Sequence, residues 1–179
     1  YKYFTWKEGD YYRGQNLVYK PNIINLLKII PSKTDTYATI QDYDEEGNVI
    51  GCPLYFDIDS DNLYDSHKTA LNVYRELKED LNIEPFFYFS GSKGFHILMP
   101  LYIKHSRCHE IAKEIALDYA DKEDIDIVVY RQRSMFRIPR TYNSKSDNFK
   151  ILINKGDIND LEKIKKYSKE NKSFKRRFA

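Results

Sequence analysis

The spacing of apolar and polar residues divides the chain into short alternating and helical segments. Pro21 to Ile30 carries apolar residues at helical spacing between two prolines and predicts a short helix. Tyr37 to Tyr43 alternates as a strand, and Asp44-Glu45-Glu46-Gly47-Asn48 supplies a turn. Pro53 to Asp59 predicts a second strand, paired to the first as a hairpin. Ser66 to Leu81 places Ala70, Tyr74, Leu77 and Leu81 on one helical face. Two further strands, Pro85–Phe89 and Phe95–Met99, flank a tight turn at Ser90–Gly94. Ser106 to Tyr119 reads as a helix capped by Ser106, with Cys108, Ile111, Ile115 and Tyr119 as its apolar stripe. Ile125–Tyr130 is a β-branched strand, Lys150–Ile153 another strand, and Asp157–Tyr167 a last amphipathic helix. No element is assigned before Pro21. With strands and helices interspersed, and no repeat or Gly/Ser linker, the pattern predicts one α/β domain.

Composition narrows the class without naming it. The 179 residues suffice for one domain with a real core. Tyrosine and phenylalanine are abundant, at 16 and 10; both favour strands, and tyrosine also stacks on nucleobases. A net charge of +2 is nearly balanced, so any nucleic-acid signal must lie in where the charge sits. Cys52 and Cys108 are too few for a disulfide framework or an all-cysteine zinc site, which points to a reducing, cytoplasmic setting. No signal peptide or membrane-length apolar run is present. A start at Tyr1 rather than Met suggests an excised domain. From Leu161 the chain turns basic, with Lys163, Lys165, Lys166, Lys169, Lys172, Lys175, Arg176 and Arg177 against Glu162 and Glu170. That run reads as a solvated helix face leading into a linker rather than a DNA-contacting arm.

Three segments carry chemistry. In Leu54-Tyr55-Phe56-Asp57-Ile58-Asp59 the period of a strand puts Asp57 and Asp59 on one face. Two carboxylates so close repel unless a cation lies between them, and Mg²⁺ or Mn²⁺ suits such an all-oxygen set. In Ser90-Gly91-Ser92-Lys93-Gly94-Phe95-His96 a glycine turn with a lysine and a histidine has the makings of a phosphate site. The bland alternative is a plain hairpin with a surface histidine. In Ile125-Asp126-Ile127-Val128-Val129 an acid sits in an apolar strand, where it needs a metal or an arginine partner. Arg131, Arg133, Arg137 and Arg140 follow closely, so pairing with one of them competes with metal. Taken together, the segments suggest a two-ion centre beside a triphosphate site, which is most of what phosphoryl transfer requires.

In their order and content these segments resemble the archaeo-eukaryotic primase superfamily. That family has an acid-x-acid strand, then a Ser-x-His-type hairpin, then a hydrophobic-Asp strand. Phe136-Arg137-Ile138-Pro139-Arg140-Thr141-Tyr142-Asn143 is similar to the basic-Pro-polar stretch that follows. The resemblance implies a mixed, largely antiparallel sheet flanked by helices, with an RRM-like half carrying the active site. It implies a catalytic domain over residues 1–160 and a basic helix or linker over 161–179 leading to a missing module. Metal ligation falls to Asp57, Asp59 and Asp126, and nucleotide contacts to Ser90, Lys93, His96 and Arg137. The substrates would be NTP or dNTP with two Mg²⁺ or Mn²⁺ ions, acting on a single-stranded DNA template and primer, with a helicase or accessory module as partner. The chain departs from the family with Ser92 in place of a first basic hairpin residue and Asn143 in place of a histidine. His105, Cys108 and His109 lack a fourth zinc ligand and read as structural.

A template surface is expected from Arg131, Arg133, Arg140 and Lys145; the plainer alternative is that they pair with Asp121, Glu123, Asp124 and Asp147. Two rival functions use the same residues: a metal-dependent nuclease or phosphatase, and a non-catalytic nucleic-acid-binding or initiator domain.

Overall fold

The computed structural model describes residues 1–172. Lys2–Glu8 (β1) and Tyr11–Val18 (β2) form a hairpin, followed by helix α1, Lys20–Ile29. Strands β3 (Thr36–Thr39), β4 (Asp42–Tyr43) and β5 (Val49–Ile58) lead into helix α2, Leu63–Leu81. Strands β6 (Phe86–Phe89) and β7 (Phe95–Ile103) precede helix α3, Cys108–Tyr119. Four short strands follow: β8 (Met135–Arg137), β9 (Tyr142–Asn143), β10 (Asn148–Phe149) and β11 (Ile151–Leu152). Helix α4, Leu161–Lys169, comes last. A main sheet has the order β11-β6-β7-β5-β4, an N-terminal sheet the order β2-β1-β3-β8, and β9 pairs with β10. The pairings between these strands are all antiparallel. The expected mixed α/β domain with a largely antiparallel sheet and flanking helices is therefore present.

Alternation decides what each face of the main sheet meets. Leu54, Phe56 and Ile58 on β5, Phe87 and Phe89 on β6, and Phe95, Ile97 and Met99 on β7 are buried. They share a core with Ala70, Val73, Tyr74 and Leu77 of α2 and Cys108, Ala112 and Ala116 of α3. Each such large side chain contributes about 1.5–3 kcal/mol by leaving water. The opposite face carries Tyr55 and Asp57, facing Leu98 and His96 across the ladder, with Tyr88 beyond His96. The N-terminal sheet and the segment before β8 cover this face. Tyr55 stacks on Tyr130 at 4.9 Å and meets Phe136 of β8 edge-on at 5.3 Å.

Several expected elements are rearranged. The predicted strand Tyr37–Tyr43 is divided: β3 joins the N-terminal sheet, and only β4 pairs with β5. The half-buried Lys2 ammonium sits at the break. It donates to the carbonyls of Thr39, Ile40 and Gln41 at 2.9, 2.8 and 3.3 Å, where the chain passes from one sheet to the other. Ile125–Tyr130 is not a strand. Ile125 bridges Ile58, but Asp126 then accepts from Val128 N–H at 3.0 Å and starts a short 3₁₀ turn, Ile127–Val129. The acid offers its neighbours a local partner in place of a ladder. Helix α3 does not start on a Ser106 cap; Arg107 precedes its first turn and makes no side-chain cap bond. Helix α2 begins earlier than expected, because Asn62 accepts from Asp65 N–H at 3.0 Å.

Helix α4 starts at an Asp160 cap and packs on the domain, burying Ile164 and Ser168. The Ser168 hydroxyl donates to Phe149 O at 2.6 Å. Residues 161–169 thus pack against the folded body. Lys175, Arg176 and Arg177 fall outside the described residues. Among the described residues no helix is long and apolar enough to cross a membrane.

Candidate active site

Strand β5 carries Asp57 near its end on the face covered by the N-terminal sheet, and His96 is its cross-strand neighbour on β7. Asp126 is brought to the same place by its backbone, its N–H donating to Asp57 O at 3.0 Å. Burial, reinforced by the neighbouring Asp126 charge, pushes the Asp57 carboxyl up to about 8; Lys150 opposes the shift and Asp59 adds to it. Asp59 lies just past β5 and leans toward Lys93, whose Nζ is 3.4 Å from Oδ1. That buried Oδ1 nevertheless accepts no hydrogen bond.

Behind Asp57 lies a buried row of cationic and aromatic groups. His96 Nε2 is 3.6 Å from Asp57 Oδ1, and His96 Nδ1 is 2.7 Å from Lys150 Nζ. When Lys150 is charged its ammonium can only donate, so Nδ1 then accepts and Nε2 carries the ring proton. Burial, with Lys150 and Arg137 nearby, holds the His96 pKa well below its ordinary value. Burial also brings Lys150 down to about 7, even though Asp57 favours its charge. Tyr88 and Phe136 lie against the Lys150 ammonium, their ring centres 5.3 and 5.7 Å away. Arg137 is anchored from three sides. It pairs with buried Asp35, donates to Tyr142 O, and donates to Tyr37 Oη at 2.8 Å. Burial alone would raise the Asp35 carboxyl, but bonds from Ser144 and Arg137 outweigh it and hold it low.

A cleft of about 370 Å³ opens between the two sheets. His96, Arg137 and Lys150 line it from one side, and Lys2 and Lys20 from another, around the single carboxylate of Asp42. Lys2 and Lys20 lie 2.9 and 2.7 Å from Asp42 Oδ1. A channel so weighted toward cations suits a polyanion such as a triphosphate.

The expected phosphate set is only partly gathered here. His96 and Arg137 border the cleft, whereas Ser90 and Lys93 do not. The Ser90 hydroxyl closes its own turn, accepting from Ser92 and Gly94 N–H at 3.4 and 3.2 Å. Those amides are therefore spent on the turn rather than aimed at an anion. Lys93 donates to Ser60 O at 3.1 Å beside Asp59. Gly94 is required here because a Cβ would stand 2.9 Å from Ile58 O. Asp126 makes none of the ion pairs among the described residues, and Arg137 answers to Asp35 instead. Asp126 is half-exposed rather than buried in a strand, so the expected desolvation cost falls on Asp57. Arg131, Arg133, Arg140 and Lys145 are exposed, and none is in an ion pair among the described residues. Asp147, their expected partner, lies 3.5 Å from Lys33.

No protein-family model and no curated protein matches this sequence. Solved structures do match. One is the polymerase domain of Mycobacterium tuberculosis Ligase D in complex with DNA, with a TM-score of 0.51 and 14% identity. That match covers 78% of this chain and 61% of the other, so the chain spans about three-fifths of that domain. Another is the AEP domain of the cyanophage S-2L primase-polymerase, with a TM-score of 0.54 and 11% identity, over 86% of this chain and 80% of that one. The chain has the archaeo-eukaryotic primase–polymerase fold. At these identities the likeness concerns the fold, and the chemistry rests on the residues.

Within the primase–polymerase fold, the oxygen donors suit a hard divalent cation. Asp57 is short of countercharge, and the buried Asp59 Oδ1 has no hydrogen-bond donor. Among the described residues, however, no group of three or more Asp, Glu, His or Cys side chains is gathered closely enough to hold an ion as it stands. Asp59 is drawn to Lys93 and Asp126 to Val128, so a complete ligand set requires both to turn.

Sequence reasoning missed Lys150, Asp35 and Tyr130. Lys150 opens a predicted apolar strand, where a lysine reads as a solvated end; only the partner strand β6 shows that it is buried against His96. Asp35 precedes β3 with no motif around it. Its role depends on Arg137, which lies 102 residues away in sequence.

Proposed function

We propose that this domain catalyses template-dependent nucleotidyl transfer, extending or initiating strands on single-stranded DNA with release of pyrophosphate. One observation carries the reading: in a primase–polymerase fold, the cation-lined cleft of His96, Lys150 and Arg137 opens beside the Asp57–Asp126 pair. The triphosphate binds in that cleft. Lys150, with its proton only loosely held, becomes fully charged when phosphate approaches and gives back its desolvation cost as ligand affinity. His96 presents the Nε2 proton toward the acids, and Asp35 keeps the Arg137 fork in one orientation. Asp57, Asp59 and Asp126 would hold Mg²⁺ or Mn²⁺, which supplies the charge that activates a 3′-hydroxyl and stabilises the departing pyrophosphate. The 3′-oxygen forms its bond to the α-phosphorus as the bond to pyrophosphate breaks. Exposed Arg131, Arg140 and Lys145 supply phosphate contacts to the template, so affinity falls with salt by a logarithmic slope of roughly −0.7 per contact.

The withdrawal of Ser90 and Lys93 from the cleft favours a second reading, a metal-dependent phosphohydrolase acting with the same acids. Labelled dNTP and NTP, supplied with Mn²⁺ and a primed or unprimed single strand, separate the two. Elongated products with pyrophosphate support transfer. Shortened strands or free phosphate would overturn it.

A further inference from the structure

The N-terminal sheet has an outer face, turned away from the cleft, with its own recess. Cross-strand register places Thr5, Tyr37 and Arg137 in one row and Thr39 and Met135 in the next. Phe4, Ala38 and Phe136 point the other way, toward the main sheet. On the outer face Tyr3, Tyr12, Tyr37 and Arg133 surround a groove of about 440 Å³ floored by Thr5 and Met135. That volume lies within the ~300–1,000 Å³ of small-molecule sites, enough for a base or nucleoside.

The groove is built rather than incidental. Arg133 sits at φ +59°, a left-handed conformation that non-glycine residues seldom adopt. Its backbone N–H donates to Tyr43 Oη at 3.1 Å, and its guanidinium lies 4.5 Å from the centre of the Tyr3 ring. Tyr43 also meets Tyr3 edge-on at 4.8 Å, so one buried tyrosine fixes both walls. Opposite, Tyr12 and Tyr37 meet edge-on at 6.0 Å, and Arg137 holds Tyr37 by ring and hydroxyl. Tyr12 is 52% exposed, so its ring is open to a partner.

The chemistry of the walls selects the occupant. No carboxylate lines the groove, and Arg133 is in none of the ion pairs among the described residues. Aromatic rings beside an unneutralised guanidinium offer stacking to a flat base and charge to its phosphate. We infer that this groove is a base-stacking site for single-stranded nucleic acid, engaging the strand away from the reacting atoms. The inference takes the identity of the strand from the nucleotidyl-transfer reading. It predicts a separate effect on strand affinity, because no residue lining the groove also lines the cleft, Arg137 touching the groove only through Tyr37.

The test compares the unaltered chain with Tyr12→Ala and Tyr12→Phe. Fluorescence anisotropy measures binding of a short labelled oligothymidylate and of an abasic strand of the same length. Tyr12→Ala should weaken binding of the oligothymidylate ~5- to 150-fold. Tyr12→Phe should keep most of it, and the abasic strand should bind both variants and the parent alike. Equal loss for both strands, an unchanged affinity in Tyr12→Ala, or no binding of oligothymidylate by the parent each overturns the proposal. Binding of a fluorescent dNTP with Mn²⁺ is measured in parallel and should not change in either variant. Absence of nucleotide binding in the parent sinks the catalytic reading alone, leaving the groove to be judged on its strand affinity.

Discussion

The two sheets solve opposite problems with the same alternation. The main sheet is covered on both faces: one by the apolar sides of α2 and α3, the other by the N-terminal sheet. Its second face therefore buries groups that water would normally hold, namely Asp57, His96 and the adjacent Lys150. The N-terminal sheet is covered on one face only, and its free face displays tyrosines and an arginine. Burial makes the first region stiff and electrically strained; exposure makes the second adaptable and nearly neutral for stability. The proposed catalysis would use that strain, because charge developing in a dry site is stabilised far more than in water.

The sharpest way to break this comparison is to remove bulk from each sheet. Phe56→Ala, at a fully buried position between β5 and α3, is expected to cost ~3–5 kcal/mol. Tyr11→Ala, on a side chain 72% exposed, should stay within ~0.5 kcal/mol. Urea denaturation measures both. Similar losses would mean that the N-terminal hairpin is as integral to the core as the main sheet.

Removing charge should separate chemistry from fold. The double change Asp57→Ala with Asp59→Ala is expected to lower strand synthesis ~10³-fold or more, equivalent to ~4 kcal/mol in the barrier. The folded content should hold, because neither carboxylate supports a core contact. Circular dichroism alongside the incorporation assay checks this, and retained synthesis would refute the catalytic assignment.

How far the sequence could be read follows the same division. β5, β6, β7, α2 and the turn at Ser90–Gly94 were legible, because each buries a continuous apolar face whose period survives in the chain. The N-terminal hairpin was not. Its strands mix Tyr, Lys, Arg and Gly on a half-exposed sheet, so alternation is blurred. Asp57 and Asp126 were legible as candidates from their strand-like settings. Their meeting place, though, depends on a 3₁₀ turn that β-branched residues disguise. Lys93 meets partners that the sequence does not announce: a lysine in a glycine turn has several anions in reach, and here it holds Asp59 and Ser60 O. The division of Tyr37–Tyr43 between sheets was invisible because it rests on Lys2, far back in the chain.

That lysine is the next test, with a middling effect. Lys2 donates to three consecutive carbonyls and pairs with Asp42 where one strand gives way to the next. Lys2→Met keeps the stem but takes a donor from the Thr39 and Ile40 carbonyls, Gln41 O keeping the Thr39 hydroxyl, at a cost of ~1–3 kcal/mol. Hydrogen exchange should then show faster opening at β3 and β4 than at β6. Uniform acceleration would mean that the two sheets open as one unit and Lys2 marks no seam.

The smallest effect concerns pH, and it tests the strained face directly. In an unfolded chain Asp57 titrates near 3.9, whereas in the fold burial and Asp126 raise it to about 8. Between those values the folded state binds more protons than the unfolded one, so stability falls as pH rises. Lys150 acts in the opposite sense. Its folded value of about 7 lies below that of a free lysine, so above pH 7 its contribution rises with pH. The ion-free protein should therefore lose stability steadily between about pH 4 and pH 7 from this site. Asp57→Asn removes the falling limb. It also removes the attraction that helps keep Lys150 charged, which shifts the lysine's rising limb to lower pH. The slope between pH 5 and 7 should thus be negative in the parent and level or positive in the variant. Urea denaturation with a chelator present measures the two slopes, and taking their difference cancels the titrating groups that Asp57 does not influence. Mn²⁺ should abolish the fall in the parent, because it compensates the carboxylate, and should leave the variant unchanged. Parallel curves for parent and variant would show that Asp57 is well solvated. The contrast between a strained, buried face and a relaxed, exposed one would then have to be abandoned.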